Sequence, residues 1–501
     1  MKNKYHELYN EYTSILRNAA DNNYAAAVLG WDQEVNMPPK GAAIRGRQLA
    51  TLASQAHNLL TSQNLENILK QLASCDELAT NEKNNVRLSL MDFEKNKKIP
   101  AAFVEELTML TNECFNSWLE ARKKNDYAVF APYLAKMILL KKQQAEYYGY
   151  EKHPYDALMN DYEKGATVAG LDPVFKSISE KMPPLLNKIK NAQQVSDQCF
   201  HLCYPKQQQW DFAIEVLTKM GFDFEAGRQD YSEHPFTTSF SPCDVRLTTR
   251  VDEYNFASLL WSCIHEGGHG LYEQGFPENE YGLPLCEATS LGIHESQSRL
   301  WENNVGRSLD FWNYFYPLLQ KRFPQQLERI SINEFYKGAN RVEPSLIRTE
   351  ADELSYHFHV MIRYEIEKLL IEGSLQPKDV RGVWNEYYKK YLGITPHDDK
   401  SGVLQDVHWS HGSFGYFPTY TLGSMYAVQF FEQAKKEIPD LNIEIANGQF
   451  LNLLSWLRKK IHHSGRTYTS NELAIAITGK SLDADLFMKY LEAKYTSIYN
   501  L

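Results

Sequence analysis

The sequence predicts a mainly helical protein, one large body over residues 1–501 with a small β-hairpin set into it. Three observations carry this. Long stretches repeat apolar and polar residues at helical spacing, strand signals are confined to one short region, and no Gly/Ser-rich or Pro-rich linker, low-complexity tract or internal repeat divides the chain. With 43% hydrophobic residues the chain can bury a sizeable core.

Taken in order, Tyr5 to Leu29, Ala42 to Leu60 and Pro132 to Tyr148 read as amphipathic helices. Phe236 to Phe240 and Val245 to Val251, separated by Ser241-Pro242-Cys243-Asp244, read as a hairpin. The run from Tyr254 to Ile264 has no charge and is apolar nearly all round, which predicts a buried helix leading into His265. Gly275, Pro277, Gly282 and Pro284 mark a loop, after which Leu285 to Asn303 reads as a second helix antiparallel to the first. Ser345 to Glu372 and Val383 to Tyr391 complete the helical segments.

The formal net charge of -10 and pI near 5.9 argue against nucleic acid and anionic membranes as partners, since neither would be attracted electrostatically. No uncharged run reaches the ~18 residues of a membrane span, and Met1-Lys2-Asn3-Lys4 leads into a charged helix rather than a signal sequence. Seven cysteines without a CxxC pair suit a reducing compartment, so a cytoplasmic protein is expected. Cys199 and Cys203 flank His201, and they read as buried thiols rather than a second metal site.

Chemistry concentrates at His265-Glu266-Gly267-Gly268-His269, which fits HExxH. Four residues apart on a helix, the two imidazoles share one face and can converge on one cation, with Glu266 beside any water it holds. Chance gives this pattern in a chain of this composition on the order of a few per cent of the time, mostly on solvated helices. The uncharged run before His265 argues against that. Gly267, Gly268 and Gly270 each cost roughly 1 kcal/mol against alanine in a helix, so their place is explained by room left for substrate or a close neighbour.

A catalytic zinc site wants a third protein ligand. The continuation HExxHxxGxxH fails, because Tyr272 and Gly275 stand where glycine and histidine should be. A glutamate on the next helix remains. Counting back to the connecting loop, His269 lies roughly 7.5 Å from the end of its helix and Glu295 roughly 15 Å into the second, so length excludes neither Glu295 nor Glu287. His294 and Gln297 enrich the turn around Glu295 in polar groups, which favours Glu295 and leaves Glu287 as a supporting or capping carboxylate.

Arg246, Arg250 and Arg348 are candidates for a fixed cation that would hold an anionic group of a ligand. For Arg348 an ordinary i,i+4 helix pair with Asp352 is equally open on chemistry alone. From Gly402 to Tyr426, His408, His411, Tyr416 and Tyr420 interleave with Gly412, Gly415 and Pro418, as in an ordered loop facing a cleft that could supply oxyanion donors.

CIHEGGHGLYEQG together with SLGIHESQSRLWEN resembles the thermostable carboxypeptidase Taq family of metallocarboxypeptidases. His234-Pro235-Phe236 resembles its HPF element, Asp244 to Thr248 its DxRxT, Ile347 to Asp352 its IRxxAD and Gly402 to Trp409 its GxxQDxHW. Leu29-Gly30-Trp31-Asp32, Met37-Pro38 and Arg45 are typical of its N-terminal part, so the resemblance covers essentially the whole chain.

The resemblance implies His265, His269 and Glu295 as metal ligands, Glu266 as general base, and a helical fold with a long groove between two halves, commonly as a homodimer. It tips Arg348 toward the terminal carboxylate of a peptide, with Asp352 fixing its orientation. By analogy with the more distant zinc dipeptidases of angiotensin-converting-enzyme type, Tyr420, with His408 or His411, would support the intermediate. His234 would hold the substrate backbone. The cofactor expected is one divalent ion, zinc foremost, with cobalt and manganese accepting the same ligands. The activity expected is release of single C-terminal residues from peptides, broadly tolerant of side chains and poor at proline. An oligopeptide endopeptidase or dipeptidase, or a peptide-binding protein with a vestigial site, are the alternatives.

Overall fold

The computed structural model describes residues 2–501, with side chains from Tyr5 onward. Among them helix accounts for 70% of the chain in 21 α-helices, against one three-stranded sheet. The helix Ala42–Leu60 lies where it was predicted and packs as a hairpin on Lys2–Val35. The helix expected from Pro132 starts earlier, at Tyr127, because the Asp126 carboxylate accepts from the Ala128 amide and caps it there.

Two boundaries differ from expectation for identifiable reasons. Regular helix begins at Tyr356 rather than Ser345, since the Asp352 carboxylate accepts from the Leu354 and Ser355 amides at 2.9 and 2.8 Å and holds a turn just ahead of the helix. The second helix of the metal hairpin spans Leu291–Arg299, capped by Ser290, and runs on as a π-helix over Leu300–Gly306. Glu287 therefore sits ahead of the helix in extended backbone.

The sheet holds β1 (Gly227–Tyr231), β2 (Thr237–Ser241) and β3 (Asp244–Thr249) in the order β1-β3-β2. The β2–β3 hairpin is the predicted one. β1, parallel to β3, carries no run of strand formers and gave no signal.

One apolar cluster runs from Phe103 to Tyr499 and includes Phe256, Leu260 and Ile264 of the helix Phe256–Glu273. A smaller one gathers Tyr12, Leu65, Ile68, Leu69, Leu72, Val86 and Phe93 around Leu283. Cys199 is buried but Cys203 is exposed, contrary to expectation, because it lies in the loop just beyond the short turn Gln198–His201.

Candidate metal centre

His265 and His269 stand one turn apart on Phe256–Glu273, their ring centroids 4.9 Å apart. Glu295, on Leu291–Arg299, turns Oε2 to within 3.6 Å of His265 Nε2 and 3.5 Å of His269 Nε2. Donor atoms of the three residues all lie within 4.8 Å of one another, a spacing that suits a tetrahedral cation with one position left open.

Close backbone approach makes this possible. A Cβ on Gly268 would fall 2.6 Å from Ser298 Cα and 2.7 Å from the Gln297 carbonyl, so only glycine lets the two helices meet here. A Cβ on Gly423, in the helix Pro418–Glu437, would fall 2.6 Å from Glu295 Cβ. Gly268 is thus explained by the neighbouring helix, whereas Gly267 stands against the Leu217 side chain and Gly270 against Leu247 of β3 and Phe222.

The far side of each ligand is also engaged. His265 Nδ1 meets Glu302 Oε2 at 2.9 Å, and His269 Nδ1 meets His294 Nδ1 at 2.5 Å. Arg299 donates through Nε to Glu295 Oε1 at 2.7 Å and through Nη1 to Glu302 Oε2 at 3.2 Å, while Arg307 holds the other Glu302 oxygen at 3.0 Å. Burial opposes charge on both carboxylates, yet these cations and the histidines hold Glu295 and Glu302 well below the usual carboxylate range. Burial, then His294, brings His269 down to about 3, which leaves a neutral imidazole free to ligate. Burial also pulls on His265, but Glu295 and Glu302 outweigh it and raise its value. Both Nε2 atoms and one Glu295 oxygen face a common point, a donor set that fits a divalent cation.

Glu266 lies buried on the same helix, and Thr237 of β2 donates to its Oε2 at 2.7 Å. Burial raises its value despite His265 and Thr237, which makes it a better proton acceptor than an ordinary glutamate.

Tyr420 sits in the first turn of Pro418–Glu437, its hydroxyl 3.2 Å from His408 Nε2. Burial raises the Tyr420 phenol, so it stays a donor, and brings His408 down to about 3. The Arg348 guanidinium lies 4.9 Å from the Tyr420 ring. Its partner is Asp406, at 3.0 Å from Nε and 2.9 Å from Nη2, and not Asp352, which is occupied in the turn before Tyr356. Arg363 takes the other Asp406 oxygen at 2.7 Å. Two guanidiniums on one carboxylate leave this buried cluster with a net positive charge.

Three of the sequence candidates lie outside the three-residue ligand cluster and are exposed. His234 is exposed in the loop before β2, its carbonyl accepting from Ser232. His411 is exposed, its ring 5.1 Å from that of Phe115. Glu287 is about half exposed and bonds Arg466 at 2.7 Å. Glu302, His294, Arg299 and Thr237 escaped the sequence reading as functional groups. Glu302 lies seven residues after Glu295, which is a usable signal for one helix face.

Residues 11–495 match the family model described as Carboxypeptidase Taq (M32) metallopeptidase. Thermostable carboxypeptidase 1 of Thermus thermophilus is 40% identical over 97% of this chain and 99% of its own, and Carboxypeptidase 1 of Bacillus subtilis is 37% identical over 99% of each. The crystal structure of M32 carboxypeptidase from Deinococcus radiodurans R1 superposes with a TM-score of 0.97 at 36% identity, covering 99% of this chain and 100% of that one.

Proposed function

Because this chain belongs to the carboxypeptidase Taq (M32) metallopeptidases and is therefore a metallocarboxypeptidase, a hydrolase of peptide bonds, we propose that it removes single C-terminal residues at the centre formed by His265, His269 and Glu295. The observation that carries this is the convergence of those three donors with Glu266 buried beside them. His265, His269 and Glu295 hold one divalent cation, zinc foremost, with cobalt and manganese able to replace it. Such an ion supplies Lewis-acid polarisation of the scissile carbonyl and lowers the pKa of a water.

The chain's own groups do the rest. Glu266 takes the proton of the attacking water and returns it to the leaving amine nitrogen. Tyr420 donates its hydroxyl proton to the developing oxyanion, steadied by His408, a contribution on the order of 3 kcal/mol for one well-placed donor. Arg348 receives the terminal carboxylate, since the Arg348–Asp406–Arg363 cluster carries an unbalanced positive charge that an anion would neutralise. His234, from the loop before β2, contacts the substrate backbone, and His411 contacts the substrate from the turn after His408.

Side-chain tolerance is broad and proline is a poor substrate, on the strength of the family resemblance. The same resemblance supports a homodimer. Acidic composition and seven cysteines without CxxC support a cytoplasmic protein, and no helix among the described residues is long and apolar enough to cross a membrane. The apolar cluster running from Phe103 to Tyr499 supports a single catalytic domain, and the family resemblance supports two halves about a groove.

Mass spectrometry of a mixed peptide set tests the activity, with chelated protein as control. A metal-dependent ladder shortening from the C-terminus by one residue at a time is expected. Internal cuts, released dipeptides or no cuts at all would overturn the reading.

A further inference from the structure

We infer that His294 is a positioning residue that fixes the tautomer of His269, and that it is anchored through Glu273 to Ser239 on β2. The inference rests on the metal-site reading above and concerns a residue to which that reading gives no role.

Proton bookkeeping leads to it. To ligate through Nε2, His269 must carry its proton on Nδ1. Only one proton fits between two ring nitrogens 2.5 Å apart, so His294 Nδ1 must be the acceptor. The remaining proton of His294 then sits on Nε2, which faces Glu273 Oε1 at 2.7 Å. The other Glu273 oxygen accepts from the Ser239 hydroxyl at 2.6 Å. Every donor meets an acceptor in this one direction, and reversing the first bond would set a protonated His294 nitrogen against the lone pair of a His269 that could no longer ligate.

The two ligands are therefore held differently. His265 leans directly on the Glu302 carboxylate, whereas a neutral imidazole stands between His269 and Glu273. Packing supports the second arrangement: the His269 and His294 rings lie 4.4 Å apart, and Tyr272 meets His294 edge-on at 5.4 Å. Ser239 and Thr237, two residues apart, lie on one face of β2. Thr237 bonds Glu266 and Ser239 bonds Glu273, so one edge strand braces both the base and, through two carriers, a metal ligand.

The test measures metal binding, not turnover. Zinc affinity is read by competition with a chromophoric chelator, and ligand geometry by the d–d spectrum of the cobalt-substituted protein. His294→Phe keeps the ring packing and removes the acceptor, so it is expected to weaken zinc about 10–100-fold and shift the cobalt spectrum. His294→Asn, whose amide oxygen can stand where Nδ1 was, is expected to recover much of that loss. Glu273→Gln is the second variant should His294→Phe fold poorly, and it is expected to weaken zinc in the same direction by less. Wild-type affinity and spectrum in His294→Phe, or in Glu273→Gln, would overturn the inference while leaving the metal site standing. Failure of the wild-type protein itself to bind stoichiometric metal would overturn the underlying site.

Discussion

Glu266 and Glu295 are both buried glutamates, and their surroundings push them in opposite directions. Glu266 has one neutral hydroxyl partner and is raised by burial, whereas Glu295 faces Arg299 and two histidines and is held low. The first suits a group that must take a proton, the second one that must stay charged. Glu266→Gln should therefore keep metal and lose turnover by about 10²–10⁴-fold, the range for a general base. Retained turnover would remove Glu266 from that role. Glu295→Ala should lose metal in equilibrium dialysis while Glu287→Ala keeps it, and the reverse pattern would return Glu287 to the site. HExxH was legible because its geometry is local. Counting residues along a hairpin excluded neither Glu295 nor Glu287, and the polar residues His294 and Gln297 favoured Glu295 without fixing it. Arg348 and Asp406 lie too far apart in sequence for any local rule to pair them, so the sequence suggested Asp352 instead.

At the scale of elements, three helices meet at Glu295 through missing side chains. Gly268→Ala would press a methyl onto the backbone at Ser298, which cannot yield as a flexible side chain would. Overpacking of this kind costs about 1–3 kcal/mol, and here the strain would also part His269 from Glu295. A lowered melting temperature together with weakened metal binding is expected, and loss of stability alone would separate the glycine from the site. The helix carrying Glu295 starts over a second buried carboxylate. Glu163 accepts from the Gly292 amide at 3.1 Å and the Ser290 hydroxyl at 3.0 Å, and it also bonds Ser470. Burial raises it from 4.5 to about 7, the hydrogen bonds opposing. Between those values the folded protein keeps a proton that the unfolded chain has released. Stability should therefore be greatest below about pH 4.5 as far as this group is concerned, and fall as pH rises toward 7, by about 3 kcal/mol in all. Glu163→Gln should flatten that part of the slope in melting curves between pH 5 and 8, and parallel slopes would refute the assignment. Periodicity had found the helices around these junctions. It could not find the π-helix that carries Glu302, or the late start at Tyr356, because both are settled by tertiary partners.

At the scale of the molecule, the smaller apolar cluster belongs to the N-terminal helices, and Leu283 is its one buried member from beyond residue 97. Arg466 bonds Asp92, Lys95 bonds Asp161 and Arg87 donates to the Thr467 carbonyl, and the further polar ties gather on one segment: Arg17 donates to the Asn279 and Tyr281 carbonyls, and Asn85 donates to Glu280 at 2.7 Å while accepting from the Leu285 amide. That segment is the connection between the helix of His265 and the helix of Glu295. A cavity of about 920 Å³ separates the layer from the body along Asp92, Lys95, Tyr162, Glu287 and Arg466. With Leu283 the single buried residue of the body in the small cluster, the layer should open at a lower free energy than the core beneath it. Amides of Gln63–Ala73 and Thr80–Lys97 should exchange with solvent well before those of Phe256–Glu273. Asn85→Ala removes two buried bonds at the hinge and leaves the Leu285 amide without an acceptor, a loss of about 1–3 kcal/mol. It should speed exchange across the N-terminal helices and leave metal affinity unchanged, since none of the bonds removed reaches His265, His269 or Glu295. Equal protection of layer and core in the wild-type protein would mean that the small cluster is continuous in energy with the large one. Metal loss in Asn85→Ala would mean that the connecting segment transmits strain to the site.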